Sequence, residues 1–363
     1  TLDIDEDNYY LLGNPYPSEI NGDDFNTYHT TNFITDGVIY FWDQPLGSSH
    51  NRASYGGGYA TRIAGVGAPA ASIVVGGSTI DFTKTPNEFI AVGQGFLVTG
   101  VTDGSEIIFK NSFRDFGSSL FFKAGKKADK TVESPLELIR LGFEYDTPDG
   151  IFHRQIVASP RGMTFGFDLG KDARMFDYLK TDMYWDLEDD SRYIINSVPY
   201  LVNELEIPLG LVLEKKTAVT IKIDAIEIYS QNVFLLDKQT LSLTDLSTEE
   251  VKLNLDAGAY EGRFSLFLKI KSSLSLDHKR VSEFFSYYNF AKNNLVVISE
   301  DLKIKTIEIV SLTGVKLVSF DNFENKNNFE VPLENISEGI YVVKYKTSEG
   351  IISKKIAVAT KKF

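Results

Sequence analysis

The chain of 363 residues has no cysteine. A disulfide framework, a thiolate metal site and a cysteine nucleophile are therefore excluded, while secretion is not, because a large β domain can hold without bridges. Histidine is scarce: His29, His50, His153 and His278 stand far apart, and none forms HxH or HExxH, so a metalloenzyme is not indicated. No G-x-S-x-G and no glycine-rich phosphate loop opening a helix is present, and the triple glycine at 56–58 reads as a loop. No apolar run approaches the roughly 18 residues that span a bilayer. Basic charge is in deficit, with 37 Lys and Arg against 50 Asp and Glu, a net charge of −13. That balance argues against nucleic acid and anionic membranes as partners, since both need clustered Lys and Arg. Helix signals are few. The chain opens at Thr1 without a signal peptide, which fits a processed secreted protein or a piece of a longer one.

What is present points to β structure. Aromatics make up 13% of the chain, and Phe and Tyr favour strands. At 43% hydrophobic and 24% charged the composition is globular, and the length allows two or three domains. Strands are predicted at 9–12, at the fully apolar run 38–42 (VIYFW), at 89–98 and at 106–110, the last two around a turn at Asp103–Gly104. Residues 123–134 are lysine-rich and read as a linker. After it, 137–145 (ELIRLGFEY) alternates with period two, turns at Pro148–Asp149, and returns as 151–159. Further strands follow at 192–197, 211–213, 219–229, 233–236, 251–255 and 263–270, then a polar and aromatic connector at 271–293. The tail holds about seven short strands, including a hairpin at Leu312-Thr313-Gly314 and an edge-like strand ending near Pro332.

Three resemblances sit on these segments. GNPYPSEI, IYFWD, GGYATR, GQGFLV and NSFR, in that order over residues 9–125, resemble a module of large secreted proteins of the Bacteroidota. LGFEYDTPDGIFHRQ, DMYW, IPLGL and GRFSLFL resemble the domain that follows it in those proteins. The tail resembles the type A C-terminal sorting domain of the type IX secretion system, through IKTIEIVS with LTG, VPLENISEGIYVVKY and the terminal KKIAV. The family often opens with an Asn-Pro pair, and FAKNNLVVIS at 290–299 has none. The resemblance implies Gly314, Leu333, Gly339, Ile340, Tyr341, Lys354 and Lys355 as sorting-motif residues. It also implies export across the outer membrane with the translocon and its outer-membrane shuttle protein as partners, cleavage of the tail, and a lipopolysaccharide or other glycan anchor.

The expected fold is thus all-β: two jelly-roll-like sandwiches at 1–125 and 126–283, then an immunoglobulin-like sorting sandwich at 284–363. The expected product is a secreted or surface-attached cargo protein, adhesive or structural and not an enzyme. The alternatives are a carbohydrate-binding module or the C-terminal part of a larger secreted enzyme.

Candidate ligand residues are few. Asp3, Asp5 and Asp7 alternate as in the start of a calcium loop, but the Gly and Glu that complete one are missing, so a solvated acidic terminus is the plainer reading and Ca²⁺ the alternative. Tyr184 and Trp185 lie among Asp182, Asp186, Glu188, Asp189 and Asp190, and carboxylates beside rings are what glycan contact or cleavage requires. A polar turn is the plainer reading there. Trp42 is a third candidate glycan contact, although its place in VIYFWD reads first as core.

Overall fold

The computed structural model describes residues 2–44, 56–75, 77–115, 136–187, 189–200, 204–227, 231–270, 284–289, 293–299, 302–323, 328–333, 336–337, 339–348 and 350–358. The fold is all-β. It divides into two compact units, Thr1–Leu236 with Thr244–Ile270, and Asp237–Leu243 with Lys271–Phe363.

In the first unit, Tyr9–Gly13, Gly95–Thr99, Ile39–Asp43, Gly58–Ile63 and Val66–Ala68 form one sheet in that order. Period-two alternation sends Ile39 and Phe41 into one apolar core, and Val38 and Tyr40 into another. This is why VIYF at 38–41 is apolar throughout: both faces of the strand are covered there. The first core belongs to residues 4–113, and a ten-residue helix, Gly22–Thr31, closes it. The helix had no counterpart among the predicted elements. Asn21 caps it by accepting from the amides of Asp23 and Asp24, and Phe25 and His29 fill the core beneath.

The second core is shared. Val38, Tyr40, Ile63, Val66, Ala68 and Ala71 pack with residues from the long ladder that follows. That ladder joins Ser242–Asp245, Gln231–Asp237, Phe264–Ile270, Glu204–Leu213, Asp182–Asp186, Arg192–Val198, Gly150–Pro160, Ile139–Thr147, Thr217–Ile226 and Val251–Leu255. Both of its ends supply residues to one core (Val233 and Leu246 from one, Val219 and Leu255 from the other), so the ladder curls around it. The predicted hairpin is present, with Thr147 opposite Gly150, and Ile139, Leu141 and Phe143 are fully buried. The linker expected at 123–134 lies outside the described residues. The segments on either side of it form one compact unit through the shared core.

Among the described residues from 284 onward, the second unit forms seven strands in two sheets. Phe284–Asn289, Asn294–Ser299 and Asn328–Pro332 form one; Lys316–Asp321, Ile304–Ser311, Gly339–Thr347 and Ile351–Val358 form the other. Leu295, Val297, Phe329 and Val331 from the first meet Ile304, Ile307, Ile309, Val343 and Tyr345 from the second in one core. Phe284–Asn289 corrects the expectation of a connector through 293: the residues FFSYYN pair with Asn294–Ser299 as a strand.

Candidate functional site

The sorting-motif residues fall into two groups. Gly314 sits in the hairpin turn at φ 87°, a conformation that costs glycine little, and the turn closes through the Gly314 amide donating to the Ser311 carbonyl at 2.9 Å. Leu333 is 1% exposed and belongs to the core, and the Tyr341 ring packs on the same core while its hydroxyl donates to the Ser337 carbonyl at 2.9 Å. These residues build the sandwich. Ile340, 49% exposed, and Lys355 face outward. Register pairs Ser311 with Tyr341, Tyr341 with Ile356, Val342 with Lys355 and Val343 with Lys354. Ile340, Tyr341 and Lys355 are thereby gathered at the end of the sheet that bears the Gly314 turn.

In the first unit the two tryptophans reverse their expected roles. Trp185 is fully buried and its Nε1 donates to the Val157 carbonyl at 2.9 Å. Tyr184 is buried too, its hydroxyl donating to Glu261 Oε1 at 3.1 Å. Neither ring offers a face to a sugar, because strand Asp182–Asp186 lies inside the ladder between Glu204–Leu213 and Arg192–Val198 rather than at a polar turn. Trp42, read first as core, is 42% exposed. Its ring meets Tyr59 edge-on at 5.0 Å; Tyr59 meets Phe176 at 4.1 Å, and Phe176 meets Tyr9 at 4.9 Å. Tyr9, Leu11 and Tyr178 are more than half exposed. Beside this aromatic row, Gly13 pairs with Gly95 across the sheet and leaves a floor without side chains. The signal in the sequence was weak: YYLLG, YFW, GYATRI and MFDY contribute rings from four separate segments.

The polar side chains of the first unit are largely committed to one another. Arg154 donates from Nε and Nη2 to the two carboxylate oxygens of Asp182 at 2.9 and 2.8 Å, with both residues nearly inaccessible. His153 bridges Asp81 at 3.2 Å and Asp224 at 2.8 Å. Burial alone would lower its pKa; the two carboxylates outweigh it and raise the ring to about 9. With both nitrogens engaged, the ring has no free lone pair for a metal or a reacting proton. Asp36 is buried, and loss of hydration pushes its carboxyl up to about 7 despite the amide of Val38 donating to it at 2.9 Å. Among the described residues no group of three or more His, Asp or Glu is placed to hold a metal ion. In the acidic N-terminal run, Asp5 Oδ1 accepts from the Gly104 amide at 3.3 Å, and the Glu6 amide donates to Asp103 at 2.9 Å. The run is thus tied to the facing turn by hydrogen bonds, with Leu2–Ile4 paired to Ser105–Ile107. No helix among the described residues is long and apolar enough to cross a membrane.

No curated protein matches the chain. Residues 287–359, the seven-stranded sandwich almost from end to end, match the secretion system C-terminal sorting domain. That match makes the protein a type IX secretion cargo, with a secreted or cell-surface location. Residues 1–268 match a family described as a domain of unknown function, DUF8693. The chain belongs to the DUF8693 family, whose domain it joins to a C-terminal sorting domain.

Proposed function

We propose that the exported chain acts at the surface of a Bacteroidota cell as a non-catalytic adhesive or structural protein, and that its contact face is the aromatic row from Tyr9 to Trp42. The observation that carries this reading is the run of ring contacts from Trp42 through Tyr59 and Phe176 to Tyr9 with both end rings exposed, whereas Phe33, Phe165 and Tyr200 are exposed outside that run. Soluble proteins rarely leave contiguous apolar surface of this kind without a partner. Against catalysis stand the pairings of Arg154 with Asp182 and of His153 with two carboxylates, which leave those groups no hand free for chemistry.

A neutral glycan suits the row better than an anionic ligand. Residues 1–283 carry 26 Lys and Arg against 41 Asp and Glu, a net −15, and repel anions. Rings with polar tips stack on sugar faces while their hydroxyls and nearby carboxylates meet sugar hydroxyls. A glycan array with the wild type, Trp42→Ala and Tyr9→Ala tests this: binding in the wild type is expected to fall in both variants. Failure of the wild type to bind any glycan would leave the structural role in place of the adhesive one. Display on the cell, through a lipopolysaccharide or other glycan anchor, is the companion proposal.

A further inference from the structure

The sorting sandwich has four sheet edges among its described strands, and they are not equally guarded. An edge strand presents unpaired N–H and C=O groups to any extended chain, and native proteins blunt it with charge, proline or cover. Ile351–Val358 carries Lys354 and Lys355 in its middle, and Asn328–Pro332 carries Glu330 and ends on proline. In Phe284–Asn289 the described side chains Ser286, Tyr287 and Tyr288 are buried. Lys316–Asp321 differs from all three. Its charges stand at its two ends, and Leu317-Val318-Ser319-Phe320 between them holds no charge, proline or glycine. It pairs with Ile304–Ser311 on one side, and no other described strand pairs with it. Beside it the turn exposes more apolar surface: Leu312 and Val315 are each 60% exposed and Leu317 is 47% exposed.

We propose that this edge is where the sorting unit receives an extended strand from the export machinery. The proposal rests on the reading that residues 284–363 direct export. Backbone pairing along Lys316–Asp321 supplies the affinity, and the side chains Leu312, Val315 and Leu317 select a partner strand that is apolar at alternate positions. Charge also favours such a partner over a second copy of the chain. Residues 284–363 carry 11 Lys against 9 Asp and Glu, a net +2, while the whole chain at −13 repels itself. A mildly acidic strand is drawn to the sorting unit and not to the rest.

The test compares four full-length forms in a bacterium that runs this secretion system: the wild type, Val315→Lys/Leu317→Lys, Ser353→Lys on the opposite edge, and a deletion of 284–363. The amount in the medium and on the cell surface is read beside the thermal midpoint and the sedimentation of each purified protein. The double variant is expected to be exported about tenfold less, the change that a loss of about 1.4 kcal/mol in binding produces, with an unchanged midpoint. Ser353→Lys is expected to travel as the wild type does. Wild-type export of the double variant, with the deletion retained in the cell, overturns the edge and spares the sorting reading. Equal loss from Ser353→Lys, a lowered midpoint of the double variant, or a wild-type dimer that the double variant dissociates also overturns it. Export of the deletion overturns the sorting reading itself.

Discussion

The sorting sandwich and the larger unit are held by different kinds of interior. Among the described residues between 284 and 358 the buried serines are Ser286 and Ser299, and each has a partner: Ser286 Oγ accepts from Tyr345 at 2.7 Å, and Ser299 Oγ donates to the Leu302 carbonyl at 2.5 Å. The rest of the described core is aliphatic and aromatic. The larger unit buries Arg154, Asp182, Asp36, Asp172, Asp43, Arg62 and His29. Ionised groups in an interior are costly to hold and more costly to orphan, so this unit depends on particular pairs, whereas the sandwich depends on pattern and volume. The sandwich interior therefore rests on apolar packing between its two sheets, with few buried polar groups to satisfy. The larger unit combines its apolar cores with buried charge.

The contrast predicts how each unit fails. Removing one member of a buried pair should have the largest effect. Arg154→Ala strands the Asp182 carboxylate and is expected to cost about 3–5 kcal/mol in the larger unit, visible in calorimetry as a lowered first-unit transition with the sandwich transition unmoved. Trp185→Ala removes a ring with no exposure and one hydrogen bond, and should cost a similar 3–5 kcal/mol or so. Trp42→Ala, by contrast, should stay within about 0.5 kcal/mol, because much of its ring faces water already. Equal effects from the two tryptophans would erase the distinction between core and contact face.

Acidity sharpens the same contrast through two histidines of the larger unit. His153 has its pKa raised from 6.5 to about 9, so its contribution is complete below pH 6.5 and is lost as pH rises through about 9. His29 is shifted the other way. Burial lowers its pKa; Nδ1–H donates to the Phe25 carbonyl at 2.8 Å and Nε2 accepts from the Ile108 amide at 3.1 Å, an arrangement that only the neutral ring satisfies. Its contribution is present above its ordinary pKa of 6.5 and is lost as pH falls below it. The two histidines therefore withdraw stability at opposite ends of a pH series from 5 to 10 or so, while Asp36, raised to about 7, acts against His29 on the acid side because its burial favours the protonated form. His153→Gln should flatten the alkaline limb alone and His29→Gln the acid limb alone, as read from urea midpoints. In the sandwich the smallest effect is expected: Tyr345→Phe removes the hydroxyl bonded to Ser286 and should cost about 1 kcal/mol.

The same difference explains what could be read before the fold was seen. The sandwich was legible because its strands declare themselves by alternation, as in Ile304–Ser311, where Ile307 and Ile309 face inward and Glu308 outward. The hairpin from Ile139–Thr147 to Gly150–Pro160 was legible for the same reason, with Pro148–Asp149 as its turn. The helix Gly22–Thr31 was not. GDDFNTYHTT is poor in helix formers, and besides the local Asn21 cap tertiary contacts hold it: Asp23 paired with Arg62, and Phe25 and His29 buried beneath. Arg154 and Asp182 stand 28 residues apart, and no local spacing announces such a pair. The aromatic row was only partly visible, since Trp42 was a candidate contact but its neighbours Tyr9, Tyr59 and Phe176 come together through the fold alone.

Export itself gives the most direct measurement. Full-length protein and a form ending before residue 284 would be followed through periplasm, cell surface and medium by fractionation and protease shaving, with folding of the retained unit checked by its thermal transition. Full-length protein is expected at the surface or in the medium, and the folded truncated form in the periplasm. A folded truncated form found outside the cell in wild-type amounts would contradict the assignment of the sandwich as the sorting unit.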